Sequence, residues 1–130
     1  MPTKPLLVGA AIFQGLYGVA LLFLPDELLG LFALDVRGAL FAQQFGTALL
    51  GLAAVNWIGR GTSVGGIYGR PLVLGNLAFF MTNALLLVRQ VLERPEMWVL
   101  WVNEVIVAGF ALVFALLLFG KIQTTKKNQP

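Results

Sequence analysis

The run ALVFALLLF, residues 111 to 119, places nine apolar side chains in unbroken succession. A membrane β-strand is about ten residues long and alternates apolar with polar positions. This run does not alternate, so it reads as helix. It lies within a longer apolar stretch from about Trp98 to Gly120, bounded by Glu96 and Lys121. Crossing a bilayer core takes about 20 mostly apolar residues in a helix, and this stretch is long enough.

Three more stretches meet the same requirement. One runs over residues 6–24 without a charge, one over 38–58 between Arg37 and Arg60, and one over 72–92, opened by Arg70-Pro71 and carrying Arg89 near its far end. The fourth, 98–120, carries Glu104. The expected fold is therefore all-α, an integral membrane four-helix bundle in one domain over residues 1–120, with a short, frayed polar tail over 121–130. Composition agrees. Of 130 residues, 58% are hydrophobic and 12% charged, against about 45–50% and about 25% in an ordinary soluble domain. With no cysteine and no histidine, disulfides, thiol catalysis, haem ligation by those residues and the usual zinc sites are excluded.

Orientation follows from the Lys and Arg in short loops. One face holds Lys4, Arg60, Arg70, Lys121, Lys126 and Lys127 with no acid; the other holds Arg37 and Arg94, with Arg89 nearby, among Asp26, Glu27, Asp35, Glu93 and Glu96. The first face is expected to be cytoplasmic, with both termini inside. The net charge of +3 is then an anchoring asymmetry, not a nucleic-acid signal. The first span is longer than a signal-peptide core and reads as a retained anchor. Residues 25–35 read either as a short interfacial helix or as a plain loop. The glycine-rich connector 59–70 lacks the Lys-Ser/Thr of a P-loop and reads as a flexible link. Trp57, Tyr68, Trp98 and Trp101 suit aromatic belts at the two interfaces.

Polar residues embedded in spans are costly and usually face the interior. Asn76, Asn83 and Gln90 recur every seven residues, with Gly75, Thr82 and Arg89 as a parallel row, and both rows are expected to face inward. Arg89, Glu104, Gln43, Gln44 and Asn103 fall at similar height in the outer third, with Asn83 and Gln14 deeper and Asn56 and Asn76 near the cytoplasmic end. An Arg89–Glu104 pair is the expected arrangement, because a lone central charge costs about 2.5–3.5 kcal/mol. The plainest account is that these groups fix helix register. Beside it stand a binding site for a small polar or amphipathic ligand such as a lipid headgroup or quinone, a proton or ion pathway, and an interface with a partner subunit. Gly38, Ala42 and Gly46, with Ala10 and Gly18, are small enough to let helices approach closely within one chain.

On these residues the chain resembles the small four-helix membrane proteins of the DoxX-like superfamily, most closely the DUF4345-type branch. Pro25 ends span one, the stretch from Gln43-Gln44 to Gly51 lies in span two, Arg89 is late in span three and Glu104 early in span four. Gln43 and Gln44 stand where that branch has a Glu and an Arg, and Thr47 replaces its second glycine. The resemblance spans about residues 6–118. It implies an integral protein of a prokaryotic cytoplasmic membrane, with a lean toward quinone-linked or redox-accessory roles and no catalytic residue to carry over. No nucleophile with a neighbouring base, metal-ligand set or cofactor motif is legible. The expected function is thus a non-catalytic binding or accessory protein with a polar patch of Gln43, Gln44, Asn83, Arg89, Asn103 and Glu104. Its expected partners are membrane lipid, a quinone-like ligand, a second copy or another membrane subunit. The alternatives are a structural subunit of a larger complex and, behind it, a small transporter formed by oligomerisation.

Overall fold

A computed structural model describes residues 3–63 and 66–127; the side chains of Val36 and of residues 121–127 lie outside that description. Among the described residues the chain is all-α: α1 (Thr3–Phe23), α2 (Pro25–Leu31), a 3-10 turn (Val36–Gly38), α3 (Ala39–Gly59), α4 (Gly69–Glu93) and α5 (Trp98–Lys127). Four helices are long and apolar enough to cross a membrane: Thr3–Phe23, Ala39–Gly59, Gly69–Glu93 and the Trp98–Gly120 part of α5. Each falls within three residues of its expected span at either end. The expected frayed tail is corrected in part, because α5 continues as backbone helix to Lys127; the side chains of Lys121, Lys126 and Lys127 are outside the described set.

The surface is apolar and the buried positions include amides and a carboxyl. Leu16, Phe23, Phe41, Ile58, Leu92 and Val105 are exposed, whereas Gln14, Asn56 and Asn76 are fully buried. A water-soluble domain shows the opposite preference. Side chains of this kind on the outside suit a hydrocarbon solvent, and polar groups then gain by turning toward one another.

The chain divides into two compact units, Pro5–Arg60 and a second that follows from Gly61. In the first, α1 and α3 run antiparallel. A Cβ on Gly18 would meet the Gly46 carbonyl oxygen at 2.8 Å, and one on Gly46 would meet the Gly18 carbonyl oxygen at 2.8 Å, so the two backbones touch there. Of the expected small-residue row, Gly46 makes the close approach and Gly38 has open space around it. Tyr17 packs edge-on to Phe45 at 6.4 Å. Between these helices residues 25–31 resolve the open reading in favour of a short helix. Pro25 opens it, where a missing N–H costs nothing, and Asp26 and Glu27 lie in its first turn, where carboxylates complement the helix dipole. It ends in a Schellman motif, with Leu34 N–H donating to Leu29 and Ala33 N–H to Gly30. That motif needs a left-handed residue, and Ala33 supplies it at φ 53°.

In the second unit, α4 and α5 form an antiparallel hairpin. The turn is held by Arg94 N–H to the Gln90 carbonyl, Met97 N–H to the Arg94 carbonyl, and Trp101 Nε1–H to the Pro95 carbonyl at 3.0 Å. Phe80 stacks on Phe110 at 4.8 Å and on Phe114 at 5.8 Å, which fixes the register. The connector leading into α4 turns through Gly66 N–H to Ser63 and Gly69 N–H to Gly66; Val64 and Gly65 of that connector are outside the described residues.

Candidate functional site

The buried face of α5 reads Leu100, Glu104, Val107, Ala111, Phe114 and Leu117, a spacing of three and four residues that keeps one stripe toward the packed side of a helix. Glu104 is the one acidic or basic residue in that stripe. It is 9% exposed, and its Oε2 has no hydrogen-bond partner among the described residues. A buried carboxyl oxygen left in this state is a departure from the ordinary rule of satisfied polar groups.

The expected partner does not reach it. Arg89 donates through Nε to Glu93 Oε1 at 2.8 Å, and its side chain is 78% exposed. Two physical reasons account for this correction. Residues four apart share a helix face, so Glu93 is within direct reach on the same helix. Successive residues are about 100° apart around the axis, so the two heptad rows of α4 cannot both face inward. Asn76 is buried and Asn83 and Gln90 are half-buried, whereas Gly75, Thr82 and Arg89 are exposed. Only the first row packs. Arg94, in the turn that follows α4, donates to Gln90 Oε1 at 3.1 Å. Arg89 and Arg94 are thus both hydrogen-bonded to groups other than Glu104.

The amides of α4 are likewise bound to their own helix. Asn83 Nδ2 donates to the Phe79 carbonyl at 3.0 Å, Asn76 Nδ2 to the Leu72 carbonyl at 2.9 Å, and Thr82 Oγ1 to the Ala78 carbonyl at 2.7 Å. Asn103, half-buried, precedes Glu104 on α5. In the Pro5–Arg60 unit, Gln43 Nε2 donates to the Leu22 carbonyl at 3.2 Å. Gln44 is exposed, contrary to the inward direction expected for it, because it lies one step around the helix from Gln43.

A polar contact that the depth assignment missed lies in the same unit. Asn56 Nδ2 donates to Gln14 Oε1 at 2.7 Å, fully buried. Gln14 was expected in mid-span and Asn56 near one end; the stagger of α1 against α3 brings them level. The available signal was chemical, since two long-range amides in apolar helices gain most by meeting each other. Among the described residues no group of three or more His, Cys, Asp or Glu gathers as a metal site would require. What remains among the described residues is a buried carboxyl oxygen, Glu104 Oε2, with no hydrogen-bond partner.

Comparison with known proteins gives no match to this chain among family models, curated proteins or solved structures.

Proposed function

We propose that this chain is an integral membrane protein of four spans packed as a bundle. In this reading both termini are cytoplasmic, and the chain acts as a non-catalytic binding or accessory protein for an amphipathic molecule held in its outer third. The observation that carries this reading is Glu104, buried on α5 with Oε2 unpartnered. Removing a carboxyl from water without a partner is costly, and an occupant that supplies a hydrogen bond offsets that cost. The resemblance to the DoxX-like superfamily supports the same layout and leans toward a lipid or quinone-like occupant. Catalysis is not part of this reading: Glu104 is the one acidic residue in the sequence from Trp98 to Gly120, and the chain has no cysteine or histidine to serve it as nucleophile or base.

A second reading, a structural subunit of a larger membrane assembly, draws on Gln44. An amide exposed on an apolar helix gains a hydrogen bond when another helix covers it. Native mass spectrometry of the gently extracted chain separates the two. Binding predicts a retained amphiphile of defined mass that is lost in the Glu104→Leu variant. A retained second polypeptide with no small molecule favours the subunit reading and sinks the first.

A further inference from the structure

We infer that the C-terminal end of α3 holds an anionic phospholipid, its phosphate received by Arg60 and an acyl chain lying on the exposed helix face beside it; this rests on α3 crossing a membrane and is independent of Glu104. Between Asp35 and Glu93 the sequence contains four arginines, Arg37, Arg60, Arg70 and Arg89, and no Asp or Glu. The outer two reach the acids that bound the stretch, Arg37 with Asp35 at 3.4 Å and Arg89 with Glu93 at 2.8 Å. Arg60 has no acid near it in sequence. Its Nη1–H donates to the Trp57 carbonyl, and its Cζ lies 4.4 Å from the centre of the Trp57 ring. Neither group carries a formal charge, and among the described residues no Asp or Glu forms an ion pair with Arg60.

Those two contacts hold the guanidinium in place and leave its charge unmatched. A guanidinium is permanently charged and has five N–H donors in one plane, a fork that fits phosphate oxygens in pairs. The carbonyl takes one donor. The indole covers one face of the plane, so less side-chain freedom remains to be lost when an anion arrives. A cation at the end of a span lies at the level of the lipid heads, where it attracts negative ones. What flanks it selects a lipid over a soluble anion. Ala54 has Gly51 on the preceding turn and Trp57 and Ile58 on the next. All four are exposed, Ile58 to 80% and Trp57 to 48%, and a Cβ on Gly51 would meet nothing within 4 Å. The strip from Gly51 to Arg60 is about 13 Å long at 1.5 Å per residue. A hydrated inorganic anion gains nothing from an apolar strip, whereas an acyl chain lies along it.

The test uses the full chain carrying Trp98→Phe and Trp101→Phe, which leaves Trp57 as its one tryptophan. It is reconstituted in vesicles of phosphatidylcholine and phosphatidylglycerol, with one lipid or the other brominated in its acyl chains. Bromine quenches indole emission on contact, so quenching at equal mole fraction gives the relative binding constant of the two lipids at Trp57. Both leaflets have the same composition, so orientation does not enter. Phosphatidylglycerol is expected to be favoured about fivefold, the effect of one basic residue at a membrane surface. Arg60→Gln removes the preference, whereas Arg70→Gln, which lowers the net charge equally, keeps most of it. Should the two Phe changes unfold the protein, the difference between the unaltered chain and Trp57→Phe isolates the same signal. Equal quenching by the two lipids, or equal loss in the two arginine variants, overturns the inference and leaves α3 in the membrane. Loss of the preference on adding inorganic phosphate assigns the site to a soluble anion and overturns it too. With no quenching by either lipid, the inference falls together with the reading of α3 as a span.

Discussion

Ala33 holds a left-handed backbone, φ 53°, in order to close the Schellman motif at the end of α2. For a residue with a Cβ that conformation costs about 1–2 kcal/mol, and glycine adopts it without the clash. Glycine also raises the entropy of the unfolded chain, which returns part of the gain. Ala33→Gly is therefore expected to stabilise the protein by about 0.5–1 kcal/mol. The check is a thermal unfolding series in one detergent; a lower Tm would mean that the motif is not what sets the end of the helix. Strain of this sort is invisible in sequence, because the stretch Leu31-Phe-Ala-Leu-Asp35 contains no glycine, the usual mark of a left-handed cap.

The elements divide into what periodicity determines and what it does not. Twenty apolar residues in a row must be helix in a hydrocarbon solvent, since every backbone group has to be satisfied within the segment; all four spans were legible for that reason. Which polar side chain meets which was not. Arg89 pairs along α4 with Glu93 where the sequence suggested a partner on the next span, and Gln14 meets Asn56 across α1 and α3. Spacing fixes the angle of a residue around its own helix, whereas a cross-helix contact also depends on stagger and crossing angle, which the spacing does not encode. The same distinction separates the glycines. Gly46 and Gly51 both lie on α3, yet a Cβ at 46 would meet Gly18 O at 2.8 Å and Leu21 Cβ at 3.0 Å, while one at 51 meets nothing within 4 Å. Gly46→Ala is expected to cost about 1–3 kcal/mol, as overpacking against a backbone does, and Gly51→Ala is expected not to lower stability. Equal effects in chemical or thermal unfolding would show that α1 and α3 do not touch at Gly18.

At the scale of the whole molecule the deciding quantity is the placement of nine basic residues. In the sequence, Lys4, Arg60 and Arg70 fall at the start of α1, just after α3 and at the start of α4 without an acid among them, and Lys121, Lys126 and Lys127 follow Gly120. The remaining loops carry Arg37 and Arg94, each accompanied in sequence by carboxylates, with Asp35 at 3.4 Å from Arg37. Acids contribute little to orientation, so the comparison is one of basic residues in short loops, and it favours the Lys4–Arg60–Arg70 side as cytoplasmic. In the proposed topology the even number of spans puts both termini there. That proposal has the turn between α4 and α5 facing outward and the connector after Arg60 facing the cytoplasm. Single cysteines are straightforward to place because the chain has none of its own. A cysteine at Glu96, in the outward turn, is expected to react with an impermeant maleimide in intact cells. A cysteine at Gly61, exposed at the start of the connector, is expected to react only after the membrane is opened. Replacing Arg60 and Arg70 with Gln removes two of the residues that set the bias and is expected to produce a mixed population, both sites labelling partly from outside. Labelling of Gly61 from outside in the unaltered background would invert the orientation and move Glu104 to the cytoplasmic leaflet. Persistence of a single orientation in the Arg60/Arg70 double variant would show that the lysines at the chain ends carry the bias alone.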